Sequence, residues 1–300
     1  MYNYWAYGLT IQSEIEFPEF LPYEFEKTDL SIRVGVVPDM LVGEDVVQKV
    51  NVSMSPNEYL LRFLNIANYY AANGNEVIIQ PLPGADLKSV RLFVLSNVMA
   101  AILHQRDLVS LHASGIIHND ELVLFCGKSG AGKSTLVTAL QQKGYKIFTD
   151  DVCVLKQSVD GRVYGESSYP MTKLWQDSFE RLGLPMAEPG LMIRPEMPKY
   201  ALFFHEKFEI TGKVVKQIFV LDSDKHQDEL KVYPLSSMGA FAELQQNTYR
   251  LGQINAMKKR NRHFKTISAL TQYTEVYKSI RPKNENSLAS LIAAIESRLT

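Results

Sequence analysis

The run Gly127-Lys128-Ser129-Gly130-Ala131-Gly132-Lys133-Ser134 fits the pattern GxxxxGK[ST], in which each residue type has a task at a phosphate group. Glycines let the backbone wrap closely enough for its N–H groups to face an anion, and a following helix adds its positive dipole end. Gly127, Ser129, Gly130, Ala131 and Gly132 would form that cradle. Lys133 suits the β and γ phosphates of a nucleoside triphosphate, the Ser134 hydroxyl suits magnesium, and Thr135 meets the α phosphate. Average composition produces this pattern in about one in a hundred chains of this length. Its setting narrows the reading further, because an apolar strand over 122–125 precedes it and a helix over 135–143 follows, with Gly144 at a C-cap position. The expected ligands are ATP and Mg2+. Lys128 reads as a solvated loop lysine.

Such a loop needs a carboxylate for its metal, and phosphoryl transfer to a hydroxyl needs a group to take the proton. Asp150 and Asp151 follow the short apolar run Tyr145-Lys146-Ile147-Phe148. That run would return from the helix by a right-handed crossover to lie parallel to the first strand, so both carboxylates would emerge beside the phosphates. One would hold magnesium and the other act as base, and the spacing leaves open which does which. His112, between two apolar stretches, is by pattern alone a core or capping residue.

The elements that must position these groups can be read around them. Residues 4–80 show short β-like runs, notably 31–37 and 76–80, separated by Pro, Gly and Asn. Leu87, Val90, Val94, Val98 and Ala101 recur at helical spacing over 87–105. Strands are expected at 108–112 and 116–125, with a turn at His118-Asn119-Asp120, and at 217–221. Helical periodicity covers 238–246, 269–280 and 288–299. The fold class is α/β, organised as an N-terminal β-rich region with a connecting helix (1–107) and a catalytic domain (108–300). The first is expected to be small and the C-terminal portion helical.

Composition excludes several classes. The chain has 300 residues, 46% of them apolar, enough to fill a core. Its 32 basic residues nearly match 33 acidic ones and are scattered, which argues against nucleic acid as a main partner. Cys126 and Cys153, the two cysteines, lack CxxC spacing and read as buried free thiols. Glu14 and Glu16 fall early, and no apolar run approaches the ~18 residues of a membrane helix. A cytoplasmic protein with no membrane partner is expected.

Taken together, Leu111-His112-Ala113-Ser114-Gly115, the loop 127–134 and Lys146-Ile147-Phe148-Thr149-Asp150-Asp151 resemble the catalytic C-terminal domain of the HPr kinase/phosphorylase family. The resemblance is specific over about residues 108–155. It implies a P-loop kinase core of that type, with His112 beside the transferred phosphate and the aspartates serving metal and acceptor hydroxyl. The whole chain looks closer to a divergent branch, the HPr kinase-like proteins of lasso-peptide gene clusters, which phosphorylate a serine at the precursor's C-terminal end. Softer signals for that branch are Tyr7 to Glu14, Leu103 to Ser114, Tyr169 to Trp175 and Leu235 to Arg250, ending Asn247-Thr248-Tyr249-Arg250. Two departures from true HPr kinases count against HPr as acceptor and against a reverse phosphorylase reaction. The glycine-rich second signature has no counterpart, and the family's His-Gly-x-Leu-Val-Asp reads His112-Ala113-Ser114-Gly115-Ile116-Ile117.

The implied reaction moves the ATP γ phosphate to a serine hydroxyl. Ser134 and Asp150 would hold magnesium, Lys133 and His112 would stabilise the phosphoryl group, and Asp151 would accept the proton. Arg194 and Lys199 follow the loop Glu188-Pro189-Gly190 and read equally as lid cations near the γ phosphate or as ordinary surface charges. Arg250 reads as a cation complementing a helix end, and Trp175 as a core tryptophan. A small-molecule kinase acting on an amino acid or sugar would share these core residues, and a non-catalytic nucleotide sensor would share the loop. The acceptor is then a peptide, the lasso precursor first, or a small hydroxyl compound. Oligomeric state stays open, a homo-oligomer included.

Overall fold

The computed structural model describes residues 1–194, 197–283 and 287–299, and within them builds three sheets. The N-terminal sheet is nine-stranded, so this region is larger than the small unit expected. Its strands are β1 (Tyr2–Ala6), β2 (Leu9–Ser13), β3 (Leu21–Pro22), β4 (Leu30–Val34), β5 (Val47–Gln48), β6 (Val52–Met54), β7 (Glu58–Phe63), β8 (Ala67–Ala72) and β9 (Glu76–Pro81). They lie in the order β3-β1-β2-β4-β9-β8-β7-β6-β5.

Helix α1 (Leu87–Gln105) packs on that sheet through Val90, Val94, Val98 and Ala101, the residues whose spacing marks it in the sequence. Asp86 caps it by accepting from the Lys88 and Ser89 N–H groups. Over Val94–Val98 the helix widens into a π-turn that carries Ser96 and Asn97. By length and composition alone α1 could cross a membrane, with a mean hydropathy of 1.3, which corrects the expectation that no run approaches that length. Here 56% of it is buried within the protein as a core helix. The same apolar cluster takes in Val152, Tyr169, Ala201 and Tyr249, so the N-terminal sheet shares a core with segments that follow residue 107.

The second sheet is built from β10 (Val109–Leu111), β11 (Ala113–His118), β12 (Glu121–Cys126), β13 (Lys146–Thr149), β14 (Cys153–Gln157), β15 (Val163–Glu166), β19 (Lys213–Asp224), β20 (Lys231–Pro234) and β21 (Glu275–Pro282). The hairpin between β11 and β12 turns at Asn119 and Asp120, both at positive φ, as a tight two-residue turn requires. One expectation needs correcting here. β13 runs in the direction of β12 but is not its neighbour, because β11 lies between them, antiparallel to both. The parallel neighbour of β12 is β19, and β21 is parallel to β19 in turn. The C-terminal ends of β12, β13, β19 and β21 therefore share one edge.

Helices α2 (Lys133–Gln142) and α7 (Leu288–Glu296) cover one face through Leu136, Val137, Leu140, Leu291 and Ile295. Helices α4 (Ser237–Gln246) and α6 (Arg260–Tyr273) cover the other, and the short α5 (Leu251–Ala256) joins them. The helix expected over 269–280 ends at Tyr273. Residues from Glu275 form β21, where β-branched and aromatic side chains find a parallel partner in β19. Cys126 and Cys153 are buried free thiols. A third sheet of β16 (Met171–Trp175), β18 (Met197–Phe203) and β17 (Met192–Arg194) stands over the shared edge, with α3 (Gln176–Arg181) following β16.

Candidate active site

The loop from Gly127 to Gly132 joins β12 to α2. Gly127 sits at φ 144° with the Leu221 carbonyl so near that a Cβ would come within 2.6 Å of it. Gly132 sits at φ 88° as the residue before α2. Only glycine takes both conformations without strain, so the strand can turn at once into the helix. Asn247 fixes the start of the loop, its Oδ1 accepting from the Gly127 N–H at 2.7 Å. Lys133 is buried, and its Nζ donates to the Gly127 carbonyl at 2.7 Å. Burial lowers its pKa, against the opposing pull of Asp150 and Asp151. Thr135 Oγ1 shares a 3.0 Å hydrogen bond with Ser178 at the start of α3.

The two aspartates that leave β13 are held in different ways. Asp150 is fully buried and surrounded by neutral donors: its Oδ1 accepts from the hydroxyls of Ser114 and, at 3.0 Å, Ser134, and its Oδ2 from the Lys173 N–H at 3.1 Å. Asp151 stands at φ 71°, an uncommon conformation for a residue with a Cβ, while the Val152 N–H reaches across it to the Asp150 carbonyl. The reversal sends its carboxylate to a lysine and a histidine instead. Lys173 Nζ lies at 2.9 Å and His112 Nδ1 at 3.3 Å. Burial alone would raise the Asp151 pKa, but Lys173, His112 and Lys199 together hold it well below the usual carboxylate range. Lys173, 8% exposed, is raised despite burial because Asp151 faces it.

His112 Nδ1 also lies 2.9 Å from the Asp151 carbonyl. Neither a carbonyl nor a carboxylate can donate, so Nδ1 carries the proton and Nε2 is left as the basic nitrogen. Burial lowers the His112 pKa below 6.5 in spite of Asp151, which keeps the ring neutral at neutral pH. Its ring stacks on Tyr249 at 5.9 Å, and its backbone N–H donates to the Asn247 carbonyl.

Two cavities meet at this cluster, sharing His112, Ser129, Asp151, Lys173 and Lys199. The first, of about 160 Å3, is lined by the loop and α2 start and reaches Arg281, Leu288 and Leu291. Five cationic side chains line it against two carboxylates, a surplus that suits a polyanion. The second, of about 750 Å3, is walled by the π-turn, the β17–β18 hairpin and the turn between α4 and α5. Arg194 lies on its wall, and so does the exposed Lys128.

The structure thus brings Lys133, Ser134, Asp150, Asp151, His112 and Lys199 to one place. The described residues of this stretch, 188–194 and 197–200, are not an open loop: a turn of 3-10 helix at Pro189–Leu191 leads into β17, and β18 pairs Lys199 opposite Trp175. Trp175 is 39% exposed and lines the first cavity, so it is not a core tryptophan. Its ring face is taken by Lys199 Nζ, 5.6 Å from the centroid. Arg250 is exposed at φ 53° between α4 and α5, its guanidinium 5.5 Å above the Tyr249 ring. Sequence reasoning did not single out Lys173, Ser114, Asn247, Tyr249 or Arg281. The first four lie inside stretches that carry the family resemblance, yet nothing in their local spacing marks them as site residues.

Could these residues hold magnesium? Asp150 and Ser134 already share a hydrogen bond, both are hard oxygen ligands, and no cluster of three or more His, Cys, Asp or Glu occurs among the described residues. That set fits a cation that keeps most of its waters and phosphate oxygens, as magnesium does, and does not fit zinc.

No protein-family model and no curated protein matches the chain. Among solved structures it is similar to the HPr(Ser) kinase/phosphatase from Coxiella burnetii, at 14% identity over 63% of this chain and 94% of that one. The TM-score is 0.34, too low for the likeness to carry an argument about these residues.

Proposed function

We propose that this chain is an ATP-dependent phosphotransferase acting on a hydroxyl group. The observation that carries the reading is the division of labour between adjacent aspartates: Asp150 is tied to the hydroxyl of Ser134 at the start of α2, while Asp151 stands where the two cavities meet. A nucleotide in the first cavity and an acceptor in the second would have that carboxylate between them.

In this reading the loop N–H groups and Lys133 hold the β and γ phosphates, and Lys133 exchanges the Gly127 carbonyl for phosphate oxygen. Ser134 and Asp150 would hold magnesium, which supplies charge neutralisation at the phosphates. The acceptor oxygen bonds to the γ phosphorus, the bond from that phosphorus to the bridging oxygen breaks, and ADP leaves. The hydroxyl proton passes to Asp151. A carboxylate of depressed pKa suffices because the transition state is loose and the proton leaves late. His112 is the second reading for the base, since its Nε2 is basic and its ring neutral at neutral pH.

The finer proposal is a serine at the C-terminal end of a peptide, a lasso precursor first, which rests on the family resemblance of the sequence. A cavity of about 750 Å3 supports an acceptor larger than a free amino acid or sugar. The test is mass spectrometry of a serine-terminated precursor peptide after incubation with enzyme and MgATP. One added phosphate is expected, lost when that serine is alanine. Phosphorylation of serine or a sugar with the peptide untouched would favour a small-molecule kinase, and ATP binding without transfer to any acceptor a nucleotide sensor.

A further inference from the structure

The first cavity is not lined by charge alone. Besides the cations around Asp151 it is lined by Arg281 of β21 and by Leu288 and Leu291 of α7. β21 is parallel to β19 and pairs Arg281 with Ser223, so Arg281 emerges at the same sheet edge as the loop. Its guanidinium lies against Gly132, 3.3 Å from where a Cβ would stand, and Nη2 donates to the Ala131 carbonyl at 3.1 Å. That carbonyl is its one hydrogen-bond partner among the described residues, although a guanidinium has five N–H donors and this one is half-buried. Arg181, by contrast, is exposed and its charge is paired with the Asp177 carboxylate at 2.9 Å.

We infer that Arg281, with Leu288 and Leu291, forms the nucleoside subsite, the base of the nucleotide lying on the guanidinium plane against the two leucines. The inference rests on the phosphotransferase reading and deepens it. A guanidinium plane stacks on aromatic rings, leucines give an apolar floor, and the bond to Ala131 fixes that plane beside the phosphate loop. Trp175 is the rival platform, but Lys199 occupies its face.

The experiment compares two probes by calorimetry on the full chain: MgATP, and magnesium tripolyphosphate, which has the phosphates and no base. Arg281→Ala and Arg281→Lys are each expected to weaken MgATP binding about tenfold and about fivefold, the range of one lost stacking contact. Tripolyphosphate binding should stay within twofold of wild type. The lysine variant keeps the charge and the reach to Ala131, so a loss there isolates the plane. Equal weakening of both probes would make Arg281 a phosphate clamp or a loop support and overturn the subsite. So would wild-type MgATP affinity in Arg281→Lys, or a base-dependent loss in Trp175→Ala and not in Arg281→Ala. Failure of both probes on the wild-type chain would instead sink the phosphotransferase reading.

Discussion

One wall of the first cavity is a run of consecutive residues, 129–135, whereas the second cavity has no such run and is assembled from α1, strands β17 and β18, and the turn between α4 and α5. That run is backbone that glycines allow to bend, and in the proposed reaction it would act through N–H groups every chain possesses. The second is made of side chains whose identity matters and whose proximity only the tertiary fold creates. A backbone-built site therefore leaves a dense local code, and a side-chain-built site leaves none. Asp151 belongs to both, which is why a sequence can point at it without telling what holds it.

The largest effect should come from breaking that junction. Asp151→Asn is expected to lower turnover by about 10²–10⁴-fold while MgATP still binds. It should also cost about 3 kcal/mol of stability, because Lys173 is left buried and uncompensated. Adding Lys173→Met should restore the melting temperature and not the activity, as measured by thermal unfolding beside single-turnover transfer. The acid side of stability should change too. The Asp151 pKa is depressed on folding, so its contribution is present above the unfolded carboxylate value of about 4 and is lost as pH falls through the lower folded value. Asp151→Asn should flatten that limb.

Breaking the nucleotide side alone should look different. Lys133→Ala is expected to lower transfer by about 10²–10³-fold with little change in melting temperature or acceptor affinity, since it removes charge at the phosphates. Asp150→Asn should first weaken metal-dependent ATP binding, its partners being Ser134 and Ser114. If Lys133→Ala turned over normally at saturating ATP, the loop would be a structural turn and the comparison would collapse.

What the sequence made legible follows the same division. The glycine-rich loop, its strand and helix, and the strand that ends at the Asp150-Asp151 pair are local patterns, and these elements follow one another in the order the pattern gives. The crossover was read only in part: direction survives, but the intervening β11 could not be inferred, because a hairpin strand and a crossover strand have the same periodicity. Helical spacing misled over 275–280, where the parallel pairing with β19 outweighs propensity. Lys173 and Asn247 were hidden for a different reason. Each acts through a partner more than twenty residues away, Asp151 and Gly127 respectively, and single residues at such separations carry no period.

His112 sharpens the comparison at the level of about tenfold. His112→Asn should lower turnover by roughly that factor, with ATP affinity retained, if the ring only stabilises the transferred group. The pH profile separates its two roles. Asp151 remains ionised through the neutral and mildly acidic range, so as base it gives a flat rate from pH 8 to about 5. His112 as base gives a rate that falls as the pH drops below its depressed pKa, which itself lies under 6.5.

The smallest effect is expected from Arg250, on the far wall of the second cavity. It is exposed and, among the described residues, has no carboxylate partner, resting on Tyr249, which in turn stacks on His112. The carboxylates of that wall, Asp222 and Glu243, are already engaged by Lys278. A peptide ending beside its reactive serine would bring a terminal carboxylate into this cavity, where Arg250 offers a cation that no carboxylate of the described residues holds. Arg250→Gln should therefore raise the acceptor KM about threefold to fivefold, the modest value of an exposed ion pair of up to about 1 kcal/mol. The KM for ATP and the saturated rate should not move. A C-terminally amidated peptide should show the same loss with the wild-type enzyme and no further loss with Arg250→Gln. Were the losses instead to multiply, the carboxylate would be read by another group, and Arg250 would serve the turn between α4 and α5 alone.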